Sequence, residues 1–64
     1  MFKAKDTIVG LLDKVYGDYR FYEVLKVYKG EHIYLYDIRA ISTGIVYHKV
    51  PLPDEFYKKL DKAR

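Results

Sequence analysis

The sequence predicts a mainly β protein: a small, partly open barrel of four or five antiparallel strands, followed by a short C-terminal helix. Two observations carry this prediction. Residues 19–49 contain three runs rich in β-branched and aromatic residues, which are joined by turns that contain glycine. Residues 54–63 instead combine an acidic start, a lysine-rich end and apolar residues at helical spacing. We therefore expect strands from about residue 7 to residue 50 and a helix after them.

The first strand is predicted over residues 7–12, a run that is β-branched and apolar on both faces. Gly10 within this run suggests a bulge or the close approach of another backbone segment. A hairpin is expected next, with Gly17 and Asp18 as its two-residue loop. A longer loop over residues 13–19 is the alternative.

The next predicted strand, residues 21–28, has the strongest β pattern in the chain. Each of its two faces carries one charged residue, so alternation alone does not identify the buried face. We expect Leu25 and Val27 to point into the core, where a twist or a bulge would let Val24 join them.

Two further strands are predicted over residues 33–38 and 45–50. In the first of them, aliphatic residues alternate with Tyr34 and Tyr36, which predicts an aliphatic core face and a tyrosine outer face. Residues 39–44 are predicted to form the loop between the two strands. The second strand should end at the following proline, which cannot donate a hydrogen bond to a ladder.

The C-terminal helix is predicted over residues 54–63. Asp54 and Glu55 would lie at the positive end of the helix dipole, and the lysines that follow would lie toward its negative end. An apolar stripe would cap the open end of the sheet, and it consists of Phe56, Leu60 and Ala63.

Length and composition limit the classes of function. The 64 residues make one domain, 1–64, which buries only about 60% of its unfolded surface, so self-association into a homo-oligomer would help its small core. The absence of cysteine excludes disulfides and thiolate metal sites, and His32 and His48 are too few for a zinc site. No acid–base constellation can be assembled, so we expect neither catalysis nor a cofactor.

The N-terminus and the hydropathy pattern bear on location. Charged residues follow Met1 closely, which does not resemble a signal peptide, and no apolar run approaches the roughly 18 residues of a membrane span. We therefore expect a cytoplasmic protein that does not associate with a membrane. The net charge of +3 permits an anionic partner without requiring one.

The candidate binding site is a sheet face on which tyrosines are interleaved with cations. Its predicted members are Lys26, Tyr28, Tyr34, Tyr36, Arg39, Tyr47 and Lys49. Because tyrosine rings stack on bases and cations neutralise phosphates, this face predicts nucleic-acid binding with little sequence specificity. The same tyrosines would also suit a protein-interaction module, such as a viral or plasmid regulator of a host protein. The alternative without a binding role is that tyrosine is simply a good strand residue.

Three short motifs carry a resemblance to a known family. The segments Ser42-Thr43-Gly44, Tyr47-His48-Lys49 and Leu52-Pro53-Asp54-Glu55 resemble the small SH3-like chromatin proteins of Crenarchaea. The resemblance covers about the last third of the chain. It implies an SH3-like barrel whose triple-stranded sheet lies on the DNA minor groove, with Lys49 contacting the DNA backbone and Tyr47 or its neighbour on the sheet face. The pattern is also similar to small SH3-like proteins of phages and plasmids, many of which bind proteins.

Overall fold

The computed structural model describes residues 2–15 and 17–60, which form one antiparallel β-sheet of five strands. The strands are β1 (Thr7–Val15), β2 (Asp18–Lys29), β3 (Tyr34–Ala40), β4 (Val46–Val50) and β5 (Tyr57–Lys59). Their order in the sheet is β4-β3-β2-β1-β5, so β2 is central and β4 and β5 are the edges. The predicted mainly β class is confirmed. Within the described residues the two edge strands do not pair, and the sheet is not closed.

The hairpin of β1 and β2 turns at Gly17, whose φ of +87° lies in the left-handed region that favours glycine. Val15 pairs with Asp18 in this hairpin. Asp18 is therefore a strand residue, and the prediction that places it in the loop is wrong by one position. The predicted partner at residue 16 lies outside the described residues.

The predicted irregularity at Gly10 is confirmed. The pairing of β1 with β2 jumps from Gly10–Arg20 to Lys14–Tyr19, so β1 carries extra residues between these two pairs. A Cβ atom at Gly10 would lie 2.8 Å from the Oδ2 atom of Asp13. A side chain at this position would therefore require the Asp13 carboxylate to shift, because the bulge folds that carboxylate back against the backbone.

A bulge at Leu25 decides which side chains of β2 are buried. The pairing with β3 jumps from Val24–Ile38 to Lys26–Asp37, which leaves Leu25 without a partner. Val24 is buried and Val27 packs against the core, as predicted, because the extra residue reverses the alternation between them. The expectation that Leu25 points inward is wrong, since this side chain is 41% exposed.

The facing of β3 is opposite to the prediction. Tyr36 is buried, and its ring lies edge-on to that of Phe2 at a centroid distance of 5.8 Å. Ile33 precedes the strand and is exposed, so a tyrosine rather than an isoleucine fills this part of the core. The predicted loop also begins too early, because Arg39 and Ala40 belong to β3 and pair with Glu23 and Tyr22 of β2.

No helix forms within the described part of the predicted segment 54–63. The backbone N–H groups of Phe56 and Tyr57 both donate to the carbonyl of Pro53, which makes a single turn, and the chain then extends as β5 along β1. A helix of about 11 residues is marginal in water, whereas the open edge of β1 offers unpaired backbone groups. Phe56 and Leu60 of the predicted apolar stripe are exposed. Residues 61–64 lie outside the described residues.

The core lies on one side of the sheet. Its buried side chains come from β1, β2 and β3 and from two segments outside the strands, and they are Phe2, Ile8, Tyr22, Val24, Tyr36, Ile38, Ala40 and Leu52. The opposite side of β2, β3 and β4 is here called the outer face. No helix in the described part of the chain could cross a membrane.

Candidate nucleic-acid interface

A polar cluster centred on Asp37 occupies the outer face. Asp37 lies between the core residues Tyr36 and Ile38 in β3, so strand alternation directs its side chain away from the core. Lys26 pairs with Asp37 across the β2–β3 ladder, and Tyr28 lies two residues further along β2. With His48 and Lys49 of β4, these residues form what we call the Asp37 cluster.

The Asp37 carboxylate is buried and accepts hydrogen bonds on both oxygens. Its Oδ2 atom accepts from the Tyr28 hydroxyl at 2.8 Å, and its Oδ1 atom accepts from the Lys49 backbone N–H at 3.0 Å. The Nδ1 atom of His48 lies 3.3 Å from the same Oδ1 atom. The carboxylate thus ties β3 to both of its neighbouring strands.

These bonds shift two pKa values in opposite directions. Burial alone would raise the pKa of Asp37, but hydrogen bonds from Lys49, Tyr28 and His48 and the charge of His48 outweigh burial, and they hold this pKa below its ordinary value of 3.8. The hydrogen bond to Asp37, aided by desolvation and by the charge of the carboxylate, raises the pKa of Tyr28. At neutral pH the pair is therefore a carboxylate and a neutral phenol.

Lys49 occupies an uncommon backbone conformation. The pairing of β3 with β4 jumps from Tyr36–Val50 to Ile38–Tyr47, so His48 and Lys49 form a bulge opposite Asp37. The φ of Lys49 is +52°, in the left-handed region, which costs a residue with a side chain about 1–2 kcal/mol. The hydrogen bond from its N–H to the Asp37 carboxylate offsets part of this cost.

The bulge in β4 brings the ammonium group of Lys49 to the ring of Tyr28, near which the ammonium group of Lys26 also lies. The Nζ atom of Lys26 lies 5.0 Å from the centroid of the Tyr28 ring, and the Nζ atom of Lys49 lies 5.3 Å from it. Both distances are within the range of a cation–π interaction. Both lysines are exposed and Tyr28 is half-exposed, so ring and charges are accessible together.

Arg39 lies on the same face, but its charge is already paired with the carboxylate of Glu23. Arg39 lies two residues beyond Asp37 in β3, and its guanidinium lies 2.6 Å from the Oε1 atom of Glu23. Both side chains of this pair are solvent-accessible. Arg39 can still approach a phosphate, but only by sharing its charge with Glu23.

The other three predicted site residues lie away from the Asp37 cluster. Tyr36 is buried in the core, so the expectation that it points outward is wrong, and Tyr34 is half-buried against the core. Tyr47 pairs with Ile38 and lies on the core side, where its ring is 6.5 Å from that of Tyr22. The structure thus brings together Lys26, Tyr28 and Lys49 from the predicted set.

Sequence reasoning missed Asp37 and His48. A signal for Asp37 exists, because aspartate is unfavourable in a strand and a carboxylate inside the run IYLYDI needs partners there. Those partners come from β2 and from a bulge in β4. The residues of that bulge include no glycine, which would have indicated a bulge in the sequence. Among the described residues, no group of three or more histidine, cysteine, aspartate or glutamate side chains could hold a metal ion.

A second exposed surface is apolar. Phe21 and Ile41 are neighbours across the β2–β3 end, where the Ile41 N–H donates to the Phe21 carbonyl at 3.0 Å, and both side chains are exposed. Val46, which pairs with Arg39, is exposed beside them. We call these three residues the Phe21 patch.

A comparison of the chain with family models, with curated proteins and with solved structures finds no match. The function is therefore argued from the geometry of these surfaces.

Proposed function

We propose that the protein is a small, non-enzymatic nucleic-acid-binding protein of the SH3-like type, which binds through the outer face of β2, β3 and β4. One observation carries the proposal: Lys26 and Lys49 hold their ammonium groups about the exposed ring of Tyr28. The lysines neutralise backbone phosphates, and the ring stacks on a base or packs on a sugar.

The charge balance of the face supports an anionic partner. Asp37, which pairs with Lys26 across the β2–β3 ladder, is buried and already accepts hydrogen bonds on both oxygens. Glu23 is paired with Arg39. The exposed Glu31 lines the same pocket as Tyr28 and Lys49, but Lys29 lines it too, so with Lys26 the ammonium groups outnumber the accessible carboxylate and attract phosphate.

Side-chain chemistry supports low sequence specificity. The chain contains no asparagine and no glutamine, which are the residues that pair with adenine through two hydrogen bonds. The arginine on this face, which would be suited to guanine, is bonded to Glu23. Phosphate contacts and stacking remain, and neither distinguishes one base pair from another.

Salt dependence of binding tests the proposal. The variant Lys26→Gln/Lys49→Gln is compared with Lys3→Gln/Lys58→Gln, which makes the same change in net charge at exposed lysines outside the Asp37 cluster. Each phosphate contact contributes about −0.9 to the slope of log K against log salt for duplex DNA. The slope of the first variant should therefore be smaller in magnitude by about 1.8. Fluorescence anisotropy of a labelled duplex measures both slopes.

Two outcomes would contradict the proposal. One is the absence of binding by the unaltered protein at about 50 mM salt, where phosphate contacts are strong. The other is an equal loss of slope in the control variant, which would assign the binding to net charge rather than to this face.

A second candidate function is supported by the Phe21 patch. Exposed apolar residues that lie next to one another mark protein-interaction surfaces, either for a partner protein or for a second copy of the chain. Sedimentation velocity of the unaltered protein and of Phe21→Ser/Ile41→Ser tests self-association. A concentration-dependent dimer that the variant abolishes would support the patch as an interface, and a strict monomer would remove the homo-oligomer.

A further inference from the structure

A pocket of about 500 Å³ opens on the core side of the sheet, between the two edge strands. Tyr47 contributes to it from β4 and Tyr57 from β5, while Arg20 and Tyr22 contribute from β2 and Asp13 from the bulge of β1. Its volume lies within the range of about 300–1,000 Å³ that is typical of small-molecule sites. The pocket lies on the other side of the sheet from the Asp37 cluster.

Three tyrosine rings shape this pocket. Tyr22 is buried and forms its floor, and the rings of Tyr47 and Tyr57 stand at 73° and 65° to it, with centroids 6.5 Å and 6.2 Å away. Tyr47 is exposed at the rim and Tyr57 is half-buried. Their rings offer two aromatic walls that a planar ligand would contact.

The carboxylate in the pocket is already satisfied. The Tyr22 hydroxyl donates to the Oδ2 atom of Asp13 at 3.0 Å. Burial, followed by this bond, raises the pKa of Tyr22 to about 12, and burial together with the charge and hydrogen bond of Asp13 also raises the pKa of Tyr57. Both phenols therefore stay protonated at neutral pH and face Asp13 as neutral donors.

The guanidinium in the pocket is not satisfied. Arg20 is half-buried, and its Nε atom is buried without a hydrogen-bond partner. Among the ion pairs of residues 2–15 and 17–60, none includes Arg20. Lys14 also lines the pocket, but its ammonium group lies 4.8 Å from the ring centroid of Tyr19, which is not a lining residue, so Arg20 is the cation that the pocket offers a ligand.

We propose that this pocket binds a small aromatic anion, in which a planar ring packs between Tyr47 and Tyr57 and an attached carboxylate or phosphate pairs with Arg20. Arginine is suited to this role because its planar fork matches both anions. Aromatic walls alone would also suit a quaternary ammonium ion. Arg20 decides against that ligand, because its guanidinium has an unpartnered Nε atom and repels a cation, whereas the Asp13 carboxylate already accepts a hydrogen bond from Tyr22.

Calorimetric or NMR titration of the full chain with defined probes tests the proposal. Benzoate and adenosine 5′-monophosphate each carry a ring and an anion, and they distinguish a carboxylate source from a phosphate source. Adenosine carries the ring alone, inorganic phosphate carries the anion alone, and tetramethylammonium carries a cation. We expect binding of at least one ring-bearing anion, at least tenfold tighter than binding of adenosine or phosphate.

Variants locate the binding within the pocket. Arg20→Gln should lower the affinity for the ring-bearing anion about tenfold or more, since a hydrogen bond to a charged group contributes that much to binding. Arg20→Lys should restore part of the loss, and Tyr47→Leu, at the exposed rim, should weaken binding without changing the charge. Lys58→Gln, which lies outside the pocket, is the control. Three results would overturn the proposal. They are tighter binding of tetramethylammonium than of the ring-bearing anions, binding of adenosine as tight as that of the ring-bearing anions, and an unchanged affinity for the ring-bearing anion in both Arg20→Gln and Tyr47→Leu.

Discussion

Lys49 combines an uncommon backbone conformation with a place in the proposed binding site. Its left-handed φ of +52° is a conformation that glycine adopts more readily, yet a lysine stands there with its N–H on Asp37 and its ammonium group near Tyr28. Strained positions of this kind are concentrated at functional sites. The position of this side chain in the proposed site would therefore come at some cost in stability.

Replacing Lys49 with glycine separates these two effects. Lys49→Gly should leave the free energy of unfolding unchanged or raise it by up to about 1 kcal/mol, because glycine relieves the strain and keeps the N–H. Lys26→Gly is the matched control, since it removes the same side chain from an ordinary strand position and should lower stability by about 0.5–1 kcal/mol. Urea unfolding measures both values, and anisotropy should show weaker duplex binding for each variant. A Lys49→Gly protein that is less stable than Lys26→Gly would contradict the strain argument.

Asp37 predicts a pH dependence of stability. Because the folded-state pKa of Asp37 is lower than its ordinary value of 3.8, the ionised carboxylate favours the folded protein. Its contribution is complete above the ordinary value and is lost as the pH falls through the folded-state value. Asp37→Asn lacks this contribution, so its free energy of unfolding should fall less steeply on acidification.

Urea unfolding of both proteins between about pH 7 and pH 2 checks this prediction, because the window spans the ordinary pKa of an aspartate. The difference in stability should be largest at neutral pH and should shrink below about pH 4. Parallel curves over the whole range would show that the carboxylate is not stabilised by Tyr28 and Lys49. Glu31→Gln, in an exposed turn, provides a comparison for general acid effects.

At the scale of the elements, irregularities in three strands position the side chains of the proposed sites. The bulge after Gly10 brings Asp13 to Tyr22, the bulge at Leu25 places Val24 and Val27 on one side, and the bulge in β4 holds Lys49 near Tyr28. Without them, strict alternation would distribute these side chains differently between the two faces.

Gly10 offers a test at this scale. Gly10→Ala would place a Cβ atom 2.8 Å from the Asp13 Oδ2 atom, which must then move away from the Tyr22 hydroxyl. We expect a loss of about 1 kcal/mol in the free energy of unfolding, which is the usual worth of one hydrogen bond. Tyr22→Phe removes the same bond. In a double-mutant cycle the two losses should therefore not add, and full additivity would show that Gly10 does not act through this bond.

These irregularities also explain how far the sequence predicts the fold. Glycine at position 10 signals its bulge, and the β-branched runs predict four of the strands. The bulges at Leu25 and Lys49 involve residues with ordinary strand or surface chemistry, so their positions depend on pairing across the sheet. The same tertiary pairing turns residues 57–59 into β5, although their local charge pattern favours a helix.

At the scale of the whole molecule, one open sheet presents two different sides. The outer face carries the Asp37 cluster. The core side carries the hydrophobic core and also the pocket between the edge strands, whose floor is Tyr22. The sequence predicts a tyrosine-rich surface, but the tyrosines divide between these sides: Tyr28 lies outside, whereas Tyr22, Tyr36, Tyr47 and Tyr57 lie on the core side. Alternation could not reveal this division because two bulges shift it.

The edge strand β4 belongs to both sides. Its bulge and its charged residue Lys49 are features that discourage pairing with another sheet edge. We therefore expect partners to contact the faces of the sheet rather than to extend it. This expectation agrees with a nucleic-acid partner, which offers phosphates and rings rather than a strand.

The most direct test of the central claim is to map amide chemical shifts by NMR while a short DNA duplex is added at low salt. We expect the largest changes at Lys26, Tyr28 and Lys49, including the Lys49 N–H that donates to Asp37. The amides of β5 should change little. Largest changes at Tyr57 or at the Phe21 patch, or no changes at all, would contradict nucleic-acid binding through the Asp37 cluster.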